Sequence, residues 1–159
     1  MAPDWTLSEL ESMSPRHLDS VYERPTELPP PRGVWRGHVL ARIEHETSEH
    51  PFWRWSERLG FEWNRFGIDF DRRLWFFWTR RLAMGRFEPR VHRSRWRDTD
   101  AIGLHYEVSR LPAFVRGVLY DEVKPLSERW MLGIGGMNGE RGVGDHFWFA
   151  LERRPGDLR

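Results

Sequence analysis

Four side chains in this chain stand where a proton could be moved inside an apolar space: Tyr120, Asp121, His105 and Glu62. Tyr120 shares an alternating face with Phe114 and Val118, and Asp121 follows it directly. His105 lies opposite the face carrying Ile102, Leu104 and Tyr106, and in the inverted register Tyr106 faces inward instead. Glu62 sits beside a run of helically spaced rings. Apolar surroundings disfavour the charged form of a carboxyl group, which poises it as a general acid or base near neutrality. The competing reading makes Tyr120 a core ring with a satisfied hydroxyl, and Asp121 and Glu62 turn or solvated residues.

The second signal is aromatic. The chain has ten Trp and ten Phe beside three Tyr in 159 residues. Trp35, Trp55, Trp63, Phe76, Trp78, Tyr106, Trp130 and Trp148 are the candidates to line a pocket for a flat apolar ligand, with Trp53 beside them. Such pockets are mostly apolar, with a few placed polar groups. Large rings also simply fill a small barrel, so each of these positions has a packing alternative.

Composition narrows the chemistry. There is no Cys, which excludes a disulfide framework, a thiolate zinc site and a thiol nucleophile. No His-x-His or His-x3-His pair occurs, so no metal site is expected from spacing. No cofactor is expected, and a haem on one axial histidine is the alternative. Lys124 is the only lysine against twenty-four Arg. Its place before Pro125 reads as a strand exit with a solvated ammonium rather than a Schiff-base former. The net charge of +1 argues against nucleic acid as a partner. No apolar run long enough to span a membrane occurs, and the first residues lack the features of a signal peptide, so a cytoplasmic protein is expected.

These residues need elements to hold them. Thr6-Leu7-Ser8-Glu9 is a capping box, and Ser14-Pro15 is a second helix start. Pro25 and Pro29–Pro31 make an extended connector, so residues 1–32 read as a helical arm. From Gly33 apolar residues alternate: Trp35, Val39, Ala41 and Ile43 against Arg36, His38 and Arg42. Phe52, Trp55, Leu59, Trp63 and Phe66 share a helical face. Short strands with turns between them follow, over Ile68–Trp78, Leu82–Arg97, 102–108, 114–120, 129–134 and 146–153. Lys124–Ser127 and the glycine-rich 135–144 read as loops. The count is seven or eight strands and one internal helix. This favours a mainly β, antiparallel barrel over residues 33–154, with 155–159 as a tail. Closure removes edge strands, and eight strands leave room for side chains or one small ligand.

Gly33-Val34-Trp35-Arg36-Gly37 is a GXWXG box behind a Pro-rich lead-in. It is followed by the Trp-rich helix ending Trp63-Asn64-Arg65-Phe66, then Gly117–Asp121, Leu132–Gly135 and Phe147–Arg153. This order resembles the small bacterial GXWXG-domain proteins, whose C-terminal half is a domain of unknown function. The resemblance implies a lipocalin-like β-barrel and little about activity. Two segments depart from the family: Thr47-Ser48-Glu49-His50-Pro51 replaces a Thr-Gly-His-Pro-like segment, and Glu62-Trp63-Asn64-Arg65 replaces a Tyr-Gly-Lys-type one.

The function expected is the binding of a hydrophobic, aromatic or polycyclic small molecule in an aromatic-lined barrel. The alternative is a cofactor-independent cyclase, isomerase or lyase on the same scaffold, working by preorganisation and one acid–base pair. The small molecule is the expected partner, with a homodimer as a further option.

Overall fold

The computed structural model describes residues 5–43, 66–77, 83–137 and 146–153. The helix expected over 52–66, with Trp53, Trp55, Glu62 and Trp63, lies outside the described residues apart from Phe66, as does Trp78.

Both N-terminal helices start where their caps require. In α1 (Leu7–Ser12) the Thr6 hydroxyl accepts from the Glu9 N–H, and the Glu9 carboxylate accepts from the Thr6 N–H. In α2 (Pro15–Tyr22) Ser14 caps the His17 N–H and Pro15 takes the first turn, where its missing donor costs nothing.

Among the described residues nine strands follow: β1 (Val34–Ile43), β2 (Phe66–Asp69), β3 (Leu74–Phe77), β4 (Ala83–Arg86), β5 (Glu88–Arg93), β6 (Asp100–His105), β7 (Leu119–Pro125), β8 (Trp130–Met137) and β9 (His146–Glu152). Every pairing is antiparallel, in the order β4-β3-β2-β1-β9-β8-β7-β6-β5. The two edges of this sheet, β4 and β5, are separated only by Phe87. They act as one strand bent at Phe87, whose N–H bonds the Arg73 carbonyl at 2.9 Å. Chain continuity therefore joins the two edges and makes a nearly closed barrel.

The barrel has two unlike ends. Short turns, 70–73, 94–99 and 126–129, join strands at one end. The connections 44–65, 78–82, 106–118 and 138–145 all leave from the other.

The GXWXG box shapes the short-turn end. Gly33 has φ of +81°, a conformation glycine adopts without strain, and its N–H bonds Asp71 Oδ1 at 3.0 Å. Trp35 is buried inside the barrel, its Nε1–H donating to the Arg32 carbonyl at 2.9 Å. Gly37 is covered by the Phe66 ring, and a Cβ there would fall within that ring. Gly37→Ala is therefore expected to lower stability by about 1–3 kcal/mol, the usual cost of overpacking. A urea titration checks it.

Three readings are corrected. Residues 113–116 form a helical turn, α3 (Ala113–Arg116), rather than a strand, because Pro112 accepts from Val115 and Arg116 and starts the turn. Phe114 is consequently exposed. Gly135 and Gly136 belong to β8, not to a loop, since they pair with Asp121 and Tyr120. In β1 a register shift between Val39 and Ala41 breaks the alternation, so Val39 pairs with Phe149 and Ala41 with Trp148, on opposite faces.

Candidate functional site

The inner face is one cluster: Trp35, Ile68, Phe70, Phe87, Ile102, Leu104, Tyr106, Val123, Met131, Phe149 and Leu151, with Phe66, Trp75, Leu119 and Phe147 packed against it. The outer face of β7, β8, β9 and β1 makes a second cluster with α2: Leu18, Val21 and Tyr22 against Tyr120, Leu132, Ile134 and Trp148. Directly paired residues share a face, so the register assigns the remaining positions.

Burial is graded along the inner face. Toward the short-turn end Trp35, Ile68, Ile102, Val123, Met131 and Leu151 are buried. Toward the long-connection end Val39, Phe66, Leu119, Asp121 and Phe147 are only half-buried, while Phe77 and Tyr106 there are enclosed. Inward residues of β1, β2 and β7–β9 are thus more fully buried toward the short-turn end, whereas Val91 of β5, paired with Ile102, is exposed.

Asp121 stands where that burial changes. It pairs with Gly135, which pairs with Phe147, which pairs with Arg42, so the four form one inward rung. A Cβ at Gly135 would collide with the Asp121 carboxylate and approach the Phe149 ring, so glycine gives that carboxylate its room. The Tyr106 hydroxyl donates to Asp121 Oδ2. Burial pushes the Asp121 carboxyl up to about 7, and the Tyr106 hydrogen bond only partly opposes it. Tyr106 is raised well above the ordinary phenol range, by burial first and by the Asp121 charge second. The pair can therefore hold or release one proton at neutral pH. Elsewhere on the inner face, toward the short-turn end, Trp75 Nε1 is buried without a hydrogen-bond partner among the described residues. Trp75 pairs with the inward Ile68 and faces Gly85.

The other candidates fall elsewhere. Tyr120 is on the outer face, where its hydroxyl donates to Glu122 Oε2 and accepts from the Arg95 N–H at 3.2 Å. It and Asp121 are chain neighbours on opposite faces, so they do not form a pair. Trp148 packs edge-on against Tyr22 at 5.3 Å, and Trp130 packs with Leu10 and Ala150 under α1. Phe76 pairs with Gly67 and lies against it on the face opposite Ile68 and Trp75. Trp35 is inside, but at the short-turn end. His105 is on the outer face with Gly103, beside His92. His38 and His146 are on the outer face of β1 and β9, and His17 is on α2. No described histidine on these elements points into the barrel.

Lys124 is a further correction. It is 2% exposed, and its ammonium donates to the Tyr22 and Arg24 carbonyls, each at 2.8 Å, and to Thr99 Oγ1 at 2.5 Å. Burial holds its pKa below the ordinary lysine range. Beside it the buried Glu122 carboxylate accepts from the hydroxyls of Tyr22 at 2.9 Å, Ser94 at 2.5 Å, and Tyr120. These two charges tie the end of α2 to β7. The β-strand continues through Pro125, which is why Lys124 is not solvated.

No family model matches the chain, and no curated protein matches it. The chain is similar to a protein from Thermomonospora curvata whose crystal structure is solved, with 16% identity, 93% of each chain covered and a TM-score of 0.51. At that identity the likeness shows the fold alone. Among the described residues no helix is long and apolar enough to cross a membrane.

Proposed function

We propose that this barrel binds a hydrophobic, aromatic or polycyclic small molecule in the long-connection half of its interior, with the Asp121–Tyr106 pair as the polar anchor. The carrying observation is the grading of the inner face, which leaves Asp121 where fully buried residues give way to half-buried ones. Rings of Phe66, Phe147 and Phe149 adjoin it, with centroids 5.6 and 5.8 Å apart for the Phe66–Phe149 and Phe147–Phe149 pairs. An apolar ligand gains about 25 cal/mol per Å2 buried, and a hydroxyl or carbonyl on it would meet a carboxyl that can donate or accept. The GXWXG resemblance and a cytoplasmic setting accord with this reading.

A second reading rests on the Asp121 pKa of about 7. In a cofactor-independent cyclase, isomerase or lyase, Asp121 would be the general acid–base and Tyr106 would orient it. The ring faces would hold the substrate and stabilise developing positive charge.

Titration with neutral 2-naphthol, followed by Trp fluorescence, tests the binding reading. Saturable quenching at one ligand per chain is expected, with Asp121→Leu weakening naphthol at least tenfold and leaving naphthalene within about threefold, since only the hydroxyl uses the anchor. Equal losses for both ligands, or no saturation, would remove the anchor or the site.

A further inference from the structure

A second set of chemistry-bearing side chains lies outside the barrel, on the β5–β6 hairpin. His92 pairs with Ala101 and His105 with Glu88, which puts both imidazoles on the outer face on either side of Gly103. Their ring centroids are 5.3 Å apart and their planes nearly perpendicular. The Nε2 atoms of both rings lie close to Gly103. A Cβ there would collide with His92 Nε2 and come within 3.2 Å of His105 Nε2.

The outer nitrogens fix which atoms carry hydrogen. His92 Nδ1 is 2.6 Å from the Arg93 carbonyl, which can only accept, so Nδ1 carries a hydrogen and Nε2 is the nitrogen left for a further partner. His105 Nδ1 is 3.6 Å from the Glu107 carboxylate, which draws the proton to that side as well. His105 Nε2 is buried and has no hydrogen-bond partner among the described residues. The two Nε2 atoms therefore both lie beside Gly103, with Arg90 opposite that glycine on the same face and engaged by Glu88. Neutral imidazoles with their distal N–H held by a carbonyl or carboxylate are how proteins present histidine to a metal.

We propose that His92 and His105 form a two-imidazole site for a borderline divalent transition cation, of the Zn2+ or Cu2+ class, on the outer face of the β5–β6 hairpin. Imidazole nitrogen selects these ions over Ca2+ or Mg2+, which need oxygen. Among the described residues no group of three or more His, Cys or carboxylates comes together, so water completes the coordination and the ion is exchangeable. Glu88 adds no ligand, because Arg90 and Arg73 already engage it. Gly103 is the residue that leaves room for the His92 ring beside His105.

Cu2+ titrated into the untagged full chain tests this, read by calorimetry and by nitrogen hyperfine structure in electron paramagnetic resonance. One Cu2+ per chain with two imidazole nitrogens is expected, displaced by excess Zn2+. His92→Gln and His105→Gln should each weaken Cu2+ at least tenfold, and Gly103→Ala should do the same with both histidines intact. Circular dichroism on the same samples reports whether each variant remains folded. His17→Gln should leave affinity unchanged. Unaltered affinity in folded His92→Gln or His105→Gln would assign the binding to other histidines and overturn the proposal.

Discussion

Replacing Asp121 by Asn is expected to stabilise the protein at pH 8 by about 2–4 kcal/mol and to change it little near pH 4. The sign follows from the raised pKa. Between the ordinary 3.8 and about 7, the folded chain keeps a proton that the unfolded chain has released. Stability therefore falls as pH rises through that window, and the deficit is constant above it. Each tenfold change in acidity between the two states corresponds to about 1.36 kcal/mol at most, reduced here because the side chain is only half-buried. Asn still accepts from the Tyr106 hydroxyl but carries no titrating charge, so its slope over pH 4–7 should vanish. Urea midpoints of both proteins across that range decide it, and parallel curves would mean that Asp121 ionises normally. A stabilising loss of a carboxylate is also what a site held for function, at the expense of stability, produces.

The opposite result is expected at the next residue. Glu122→Ala should cost about 3–5 kcal/mol, enough to threaten folding in a chain of this size. Glu122 is fully buried, and its removal strands the hydroxyls of Tyr22, Ser94 and Tyr120. Glu122→Gln should cost less, because an amide oxygen still accepts two of the three donors. Thermal unfolding of the pair checks the ordering. The loss should appear as detachment of the N-terminal arm, visible as increased hydrogen exchange in α2 while β8 and β9 stay protected. Adjacent residues thus carry opposite tasks: Asp121 faces the interior and Glu122 fastens the arm.

Alternation is legible wherever one face is polar. Phe147, Phe149 and Leu151 against His146, Trp148 and Ala150 set the parity of β9, and the structure keeps it. The capping residues likewise locate α1 and α2. What period two cannot say is which face is inside when both are covered. The helical arm buries the outer face of β7–β9, so Trp130, Trp148 and Tyr120 carry apolar or polar signals as strong as any inward residue. The same ambiguity hides Trp75, the inward ring beside Phe76. Lys124 reads as solvated in the sequence because its partners, at Tyr22 and Arg24, come from an arm distant along the chain. The His92–His105 pair is invisible there for a similar reason, since a hairpin register rather than a short spacing brings it together.

Where a bound ligand sits is the sharpest check on the binding reading. With the chain saturated by 2-naphthol, intermolecular nuclear Overhauser effects to side-chain methyls separate three places. Contacts are expected to Val39 and Leu119, at the long-connection end of the interior, and none to Val123 or Leu151 toward the short-turn end. Contacts confined to Leu18, Leu132 and Ile134 would put the ligand under the helical arm and contradict it.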